Sequence, residues 1–246
     1  MPRAMFGEIY EELRRELGGG KYERGSFLPP EQELCQQFGC SRMTVRKALS
    51  LLANEGLVQA IKGRGVRVIW TPKEHDEKRD AFVVSGLTSF TESARAIGAE
   101  PGAKLVLLDH ITCTDELSRT TGFPTGSDLT QIVLVRSLDG IPMVCSRHYF
   151  LTSEVPGITE EVARSSIFHY IEQDLHIAIT VSRRKVTVEP ATEEDYELLG
   201  EGCAPYLAVV RSATFDAKGE QFEYVTNHYL PDYFHFYDTA TRTPLP

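Results

Sequence analysis

Over the first 70 residues the apolar positions keep a helical period and then switch to alternation. Phe6, Ile9, Tyr10, Leu13 and Leu17 share one helical face, and Gly18-Gly19-Gly20 ends the run. Leu28-Pro29-Pro30 introduces a second helix, since proline is tolerated at a helix start and Glu31 and Glu33 favour its positive end. That helix turns Leu34 and Phe38 inward and stops at Gly39. Ser41 stands where it can cap a third helix, with Val45, Ala48, Leu49 and Leu52 inward and Gly56 past its end. The runs from Leu57 to Ile61 and from Val66 to Ile69 flank Lys62-Gly63-Arg64-Gly65 and predict a two-stranded wing with a glycine-rich tip.

The polar stretch from Thr71 to Asp80 has no apolar period and reads as a linker. Beyond it, residues 88–97 are expected as helix and 103–112 and 130–138 as strands. Asp139-Gly140 should turn the last of these into a hairpin with 141–150. One helix is expected over about 160–174, with Ile167, Tyr170, Ile171 and Leu175 on a single face. A strand over 177–189 precedes a short helix, where Thr192 and Asp195 sit at capping-box spacing. Residues 206–215 and 221–230 should pair across the turn from Asp216 to Gly219. Hairpins alternating with scattered helices predict an α+β domain on an antiparallel sheet. The expected organisation is a winged helix-turn-helix over 1–70, a linker over 71–80 and the α+β domain over 81–246.

Charge sharpens this division. The net charge of −9 argues against a chain that coats nucleic acid indiscriminately. The first 70 residues carry 11 Lys/Arg against 8 Asp/Glu, however, and the remainder carries 15 against 27. A mildly basic head on an acidic body suits a DNA reader joined to a domain that is not one. No apolar run approaches the roughly 18 residues of a membrane span, and the amphipathic, acid-rich start is unlike a signal or transit peptide, so a cytoplasmic location is expected. The five cysteines are odd in number and form no CxxC. Cys35 and Cys40 lie close together, yet no second Cys or His pair completes a zinc site, so all five are read as buried thiols. With no GxGxxG, phosphate-loop lysine or HExxH, neither a cofactor nor a metal is expected.

The third helix opens Ser41-Arg42-Met43-Thr44-Val45-Arg46-Lys47. Its inward residues leave Arg42, Thr44, Arg46 and Lys47 at the exposed N-terminal end, the part of a recognition helix that enters the major groove. Arginine can contact guanine in bidentate fashion, and Thr and Lys suit phosphates. The same charges would also fit the solvated face of an ordinary helix. Context separates the two. Pro29-Pro30-Glu31, the run from Ser41 to Leu49, Gly56-Leu57 and the Lys62–Gly65 tip, with their spacings, closely resemble the GntR family of regulators over roughly residues 5–69. The resemblance implies a helix-turn-helix that binds double-stranded operator DNA through Ser41, Arg42, Thr44, Arg46 and Lys47, with the wing tip Lys62, Gly63 and Arg64 in the minor groove. It also implies a homodimer held by the C-terminal domain.

From about residue 81 to 240 the chain resembles the effector-binding UTRA domain of the HutC branch, whose fold is similar to chorismate lyase. The carrying residues are Val84–Glu92, Arg136 with Asp139-Gly140 and Pro142, Ser166-Ile167-Phe168, Val188–Ala191 and Phe222-Glu223-Tyr224. The stretches SGLTSF, IEQDLHIAIT and VTVEPATEEDYELL are similar to trehalose operon repressors, which implies repression relieved by trehalose 6-phosphate. Another effector, such as N-acetylglucosamine 6-phosphate or a histidine catabolite, stays open. A phosphate calls for hydroxyls, backbone N–H groups and arginine, pointing to Ser85, Thr88, Ser89, Thr91 and Arg136, and the resemblance adds Phe90 and Ser166 to the effector site. Sugar hydroxyls call for a carboxylate and aromatic faces, pointing to Glu189, Tyr224 and Tyr149. Relatives often carry an arginine two residues before Arg136, where this chain has Leu134. Arg147, Arg183 and Lys185 are the candidates to replace it, with Arg183 retained for the effector site. No nucleophile elbow, metal triad or acid/base pair speaks for an enzyme.

Overall fold

The computed structural model describes residues 5–70, 87–96, 98–236 and 240. The chain divides into two compact units, one built on the N-terminal 80 residues and the other spanning Ala81–Phe236. The expected linker over 71–80 and the candidate Ser85 lie outside the described residues.

The first unit packs three helices and a two-stranded wing: α1 (Met5–Gly18), α2 (Glu31–Phe38), α3 (Arg42–Asn54), β1 (Val58–Ile61) and β2 (Gly65–Val68). The helical period becomes a core of Ile9, Leu13 and Leu17 from α1, Leu34 from α2, and Val45, Ala48, Leu49 and Leu52 from α3, closed by Leu57, Val58 and Val68. Pro30 precedes α2, and Gly39 ends it in the left-handed region (φ 60°). The Ser41 hydroxyl caps α3 by accepting the Thr44 N–H. Antiparallel pairing runs from Val58↔Val68 to Ile61↔Gly65, with Gly63 (φ 73°) and Gly65 (φ 108°) turning the tip.

The second unit is one six-stranded antiparallel sheet in the order β3-β4-β5-β8-β7-β6. Its strands are β3 (Pro101–Thr112), β4 (Asp128–Leu138), β5 (Ile141–Leu151), β6 (Ile179–Pro190), β7 (Tyr206–Asp216) and β8 (Gln221–Tyr229). Asp139 (φ 49°) and Gly140 (φ 82°) both take the left-handed conformation that a two-residue hairpin loop demands. Along the central strands both faces of the sheet are buried. One covers Ile132, Leu134 and Phe150 with Ile167 and Ile171, and continues into Val144, Val210 and Tyr229. The other carries Val133, Val135, Cys145 and Leu207 beneath Leu199, and Leu129, Ala213 and Tyr224 beneath Cys113 and Phe123.

Two helical readings need correction. The helix expected over 160–174 is broken: α6 (Glu160–Arg164) stops at Ser165 (φ −95°, ψ −121°), and a new turn, α7 (Ile167–His169), starts under the Ser166 hydroxyl and widens into a π-helical segment, Tyr170–Asp174. Adjacent serines supply a second cap, which competes with continuing the helix. A helix not foreseen, α5 (Asp115–Thr121), is capped by Thr114. The remaining helices, α4 (Phe90–Ala96) and α8 (Glu193–Leu199), fall where expected, and Thr192 and Asp195 form a reciprocal capping box. Cys113 and Cys145 are buried, whereas Cys35, Cys40 and Cys203 are only half-buried.

Candidate functional site

Two surfaces carry chemistry, one in each unit. On the first, Ser41, Arg42, Arg46 and Lys47 are exposed around the start of α3, with Thr44 partly so. The Ser41 and Thr44 hydroxyls share a hydrogen bond of 2.9 Å, leaving Arg42 to project beside them. Arg46 forms a two-oxygen ion pair with Glu31 (Nε to oxygens, 2.9 and 3.0 Å), and its side chain stays 61% exposed. An exposed pair of this kind is worth little, so Arg46 leaves it for a DNA partner at small cost. Lys47 instead lies over the Phe6 ring at 3.9 Å, so its ammonium is turned towards α1. The wing residues Lys62, Gly63 and Arg64 are exposed, with the Arg64 guanidinium 5.6 Å from the Phe27 ring centroid. Met43 was not among the expected contacts, yet it is 73% exposed between Arg42 and Thr44. Its place outside the apolar period was the available signal.

In the second unit a cavity opens on one face of the sheet. It holds about 890 Å³ of empty space, its open mouth included, and is lined by polar groups that converge from five strands and two wall segments. Strand alternation puts Arg136 (β4), Ser146 and His148 (β5), Ser182 and Arg184 (β6), Ser212 and Thr214 (β7) and Glu223, Asn227 and Tyr229 (β8) on its floor. Thr88, Ser89, Phe90 and Thr91, together with Ser166, Ile167 and Phe168, form the wall.

Arg136 is 7% exposed. It donates from Nη1 to the Ser165 carbonyl (3.3 Å), the group freed by the break after α6, and its guanidinium lies 5.8 Å from the Phe90 ring centroid. Loss of hydration on burial pulls its pKa down to about 10, against opposing pulls from Tyr229 and Glu223. Burial also lowers Arg184, with the same two groups opposing. The Tyr229 phenol is pushed up to about 12 by burial, although both arginines draw it down. Among the described residues neither arginine forms an ion pair. On the same floor Glu223 shares a hydrogen bond with His148 Nδ1 (2.9 Å) and accepts one from the Thr214 hydroxyl (2.9 Å). Two desolvated cations thus share the cavity floor with hydroxyls and with one carboxylate, Glu223, whose charge reaches both.

Of the expected effector contacts, Thr88, Ser89, Phe90, Arg136 and Ser166 come together here. Ser89 also caps α4, accepting the Glu92 N–H (3.2 Å) while the Glu92 carboxylate accepts the Ser89 N–H (2.6 Å). Tyr149, Arg183, Glu189 and Tyr224 do not line the cavity. Each has the opposite parity on its strand, and one residue along a strand reverses the face. Glu189 forms a two-oxygen pair with Arg211, which with Thr187 holds its carboxyl down at about 2. Tyr224 packs with Cys113, Phe123 and Leu129 on the far face, and Tyr149 borders that cluster. Arg147 binds Glu194, and Arg183 and Lys185 are exposed, so the second cation of the cavity is Arg184.

The comparisons with known proteins agree with this two-part architecture. Residues 6–68 match the model of the gntR family of bacterial regulatory proteins, and residues 96–235 match that of the UTRA domain. The chain is 32% identical to the transcriptional regulator TreR of Bacillus subtilis, covering 96% of this chain and 97% of that one. It is 35% identical to the transcriptional repressor NagR of the same organism, covering 96% and 94%. The fold is similar to the crystal structure of the possible transcriptional regulator YydK of B. subtilis, with a TM-score of 0.77 at 24% identity over 97% of this chain and all of that one. The effector binding domain of the B. subtilis trehalose repressor matches 58% of this chain and 99% of its own, with a TM-score of 0.52 at 26% identity.

Proposed function

Because the chain belongs to the gntR family of bacterial regulatory proteins and joins that DNA-binding head to a UTRA domain, we propose that it represses a sugar-utilisation operon and leaves its operator when a sugar phosphate enters the cavity over Arg136 and Arg184. It is a transcriptional regulator of the HutC type, and the proteins it resembles are regulators, not enzymes. The observation that carries the effector class is the pair of dehydrated guanidinium groups with hydroxyls around them. A dianionic phosphate supplies the charge both lack, and charge-assisted hydrogen bonds are the strong ones. Glu223, His148 and Asn227 then suit the hydroxyls of a sugar.

Trehalose 6-phosphate is the proposed effector, supported by the similarity to TreR over nearly the whole chain. Near-equal similarity to a second regulator, NagR, supports a second reading in which a different sugar phosphate, such as N-acetylglucosamine 6-phosphate, fills the same site. Isothermal calorimetry against both compounds and glucosamine 6-phosphate separates them. Binding of trehalose 6-phosphate alone supports the first reading, and binding of another compound in its place overturns it.

One winged head covers only about 600–1,000 Å² of DNA, marginal for a tight specific complex. A cytoplasmic homodimer reading two half-sites about one helical turn apart is therefore part of the proposal. Effector must favour the dimer whose heads do not fit the operator, and a coupling of about 1–3 kcal/mol lowers operator affinity about 5- to 150-fold. A band-shift titration on the gene's own upstream region, with and without trehalose 6-phosphate, tests this. Retention of the shifted band at saturating effector refutes it.

A further inference from the structure

Cys35 and Cys40 bracket the turn between α2 and α3. Gly39 takes the left-handed conformation, and the N–H of Cys40 donates back to the carbonyl of Cys35 over 3.1 Å. A bond of this kind, from the residue after a left-handed glycine to the last turn of a helix, closes a Schellman motif, which a contact between the side chains at its two ends frequently accompanies. That contact is ordinarily apolar. Here both ends are half-buried thiols, and both pack against the core around Leu34 and Val45. Burial, with the neighbouring Cys35, also raises the Cys40 thiol above the ordinary cysteine value.

We propose that Cys35 and Cys40 close reversibly into a disulfide across this turn and that closure weakens operator capture. The second half rests on the reading of α3 as the DNA-contacting helix. The first half does not. A disulfide needs Cα atoms about 4.4–6.8 Å apart and a sulfur–sulfur bond of about 2.0 Å, shorter than any non-bonded contact. The folded-back turn supplies the approach, and forming the bond draws Cys40 towards α2. Ser41 is the next residue, and its hydroxyl both caps α3 and bonds the Thr44 hydroxyl. Movement of Cys40 therefore reaches the cap and Arg42 beside it.

The oxidant is a low-molecular-weight disulfide. One cysteine thiolate attacks it, forming a mixed disulfide and releasing one small thiolate. The second cysteine thiolate then attacks the protein sulfur of that mixed disulfide and expels the other small thiolate. Two protein thiols are oxidised, one small disulfide is reduced to two thiols, and excess dithiol reverses the exchange. Because thiolate is the attacking form, closure accelerates as pH rises above neutral. Cys145, buried and pushed up to about 12, is a poor competitor. Transient disulfides of this kind are the sort found in reducing compartments.

The test uses the full-length chain, treated with excess oxidised glutathione and followed by intact mass, peptide mapping and operator anisotropy. The expected product has lost two hydrogen atoms, carries its cross-link within the peptide joining Cys35 to Cys40, and binds operator about fivefold more weakly, the effect of one lost helix cap. Dithiothreitol restores both. Cys35→Ser and Cys40→Ser each prevent the cross-link and keep reduced-state affinity under oxidant, and Cys35→Ala serves should serine disturb the core. Recovery of both cysteines uncross-linked, or a cross-linked protein with unchanged operator affinity, overturns the proposal. If even the reduced chain fails to bind operator, the regulatory reading fails separately, and the mass measurement still decides the disulfide.

Discussion

Replacing Arg136 with methionine should leave the effector-free protein as stable as before, or more so, while abolishing its response to sugar phosphate. In the free protein this guanidinium is almost wholly dehydrated, donates to one carbonyl and lies near one aromatic ring. Burial brings its pKa down to about 10, a fall equivalent to roughly 3 kcal/mol of uncompensated desolvation. The folded value lies below the unfolded one, so this penalty is fully present at every pH below about 10 and eases only above it. Substitution rather than pH is therefore the practical probe. Methionine keeps the length and apolar stem, and trading a poorly paired buried charge for such a side chain is often neutral or stabilising. The bound state differs, because each hydrogen bond to a charged partner contributes about 1.5–3 kcal/mol, so losing a two-pronged contact should weaken effector binding on the order of 100-fold or more. Urea unfolding with and without sugar phosphate measures both quantities, following the transition that effector shifts, since two units need not unfold together. Wild type should gain about 2.7 kcal/mol at effector 100-fold above Kd. Should Arg136→Met lose several kcal/mol without any ligand, Arg136 is a structural strut and the reasoning fails.

Other substitutions probe the remaining pieces. Arg42→Ala and Arg46→Ala should each cost about 1–3 kcal/mol in operator anisotropy, whereas Glu31→Gln, by releasing Arg46 from its ion pair, should tighten capture by up to about fivefold. Replacing a contacted thymine with uracil removes one methyl and should weaken wild type about fourfold. Met43→Ala should be indifferent to that change, and equal sensitivity in both proteins would dismiss Met43 as a base reader. Asp195 is raised by burial but held lower overall by the Thr192 N–H and hydroxyl and by His228. A depressed carboxyl stabilises above its unfolded value and loses that contribution as pH falls through its folded one. Asp195→Asn should therefore flatten the acid limb of the stability curve and cost about 1–2 kcal/mol at neutral pH. Glu189→Gln and Tyr224→Phe should leave effector affinity within about twofold, because neither lines the cavity.

Why the first unit could be read residue by residue, and the cavity only in part, follows from how each is buried. In the helix-turn-helix one side of every helix is dry and the other wet, so the period alone sorts Val45, Ala48 and Leu49 from Arg42 and Arg46. Caps and stops are local chemistry, and Pro30, Gly39, Ser41 and Thr192 act within a few residues of themselves. The central strands of the sheet have no wet face to serve as a reference. Along β8 one parity carries Glu223, Val225, Asn227 and Tyr229 and the other Tyr224, Thr226 and His228, each mixing polar with apolar groups. Alternation then says that neighbours point apart but not which one points at the cavity. Tyr149, Tyr224, Glu189 and Arg183 have the parity opposite to the cavity on three strands, and one residue's displacement separates Arg183 from Arg184. The wall from Thr88 to Phe90 escaped that ambiguity because it opens a helix and has no strand parity, and Arg136 did so because its strand neighbours Val135 and Ser137 offer no rival cation. For a sheet buried on both sides, assignment of the floor needs one anchored residue per strand, and the antiparallel register carries the parity from there. With Arg136 on the cavity side, the pairing Arg136↔Val144 places Ser146 and His148 there, and His148↔Val225 adds Asn227 and Tyr229. Across the next pair Ser212↔Val225 brings in Ser212, and Arg184↔Ser212 brings in Arg184. One anchored arginine, the strand order and the register therefore suffice to derive the second cation.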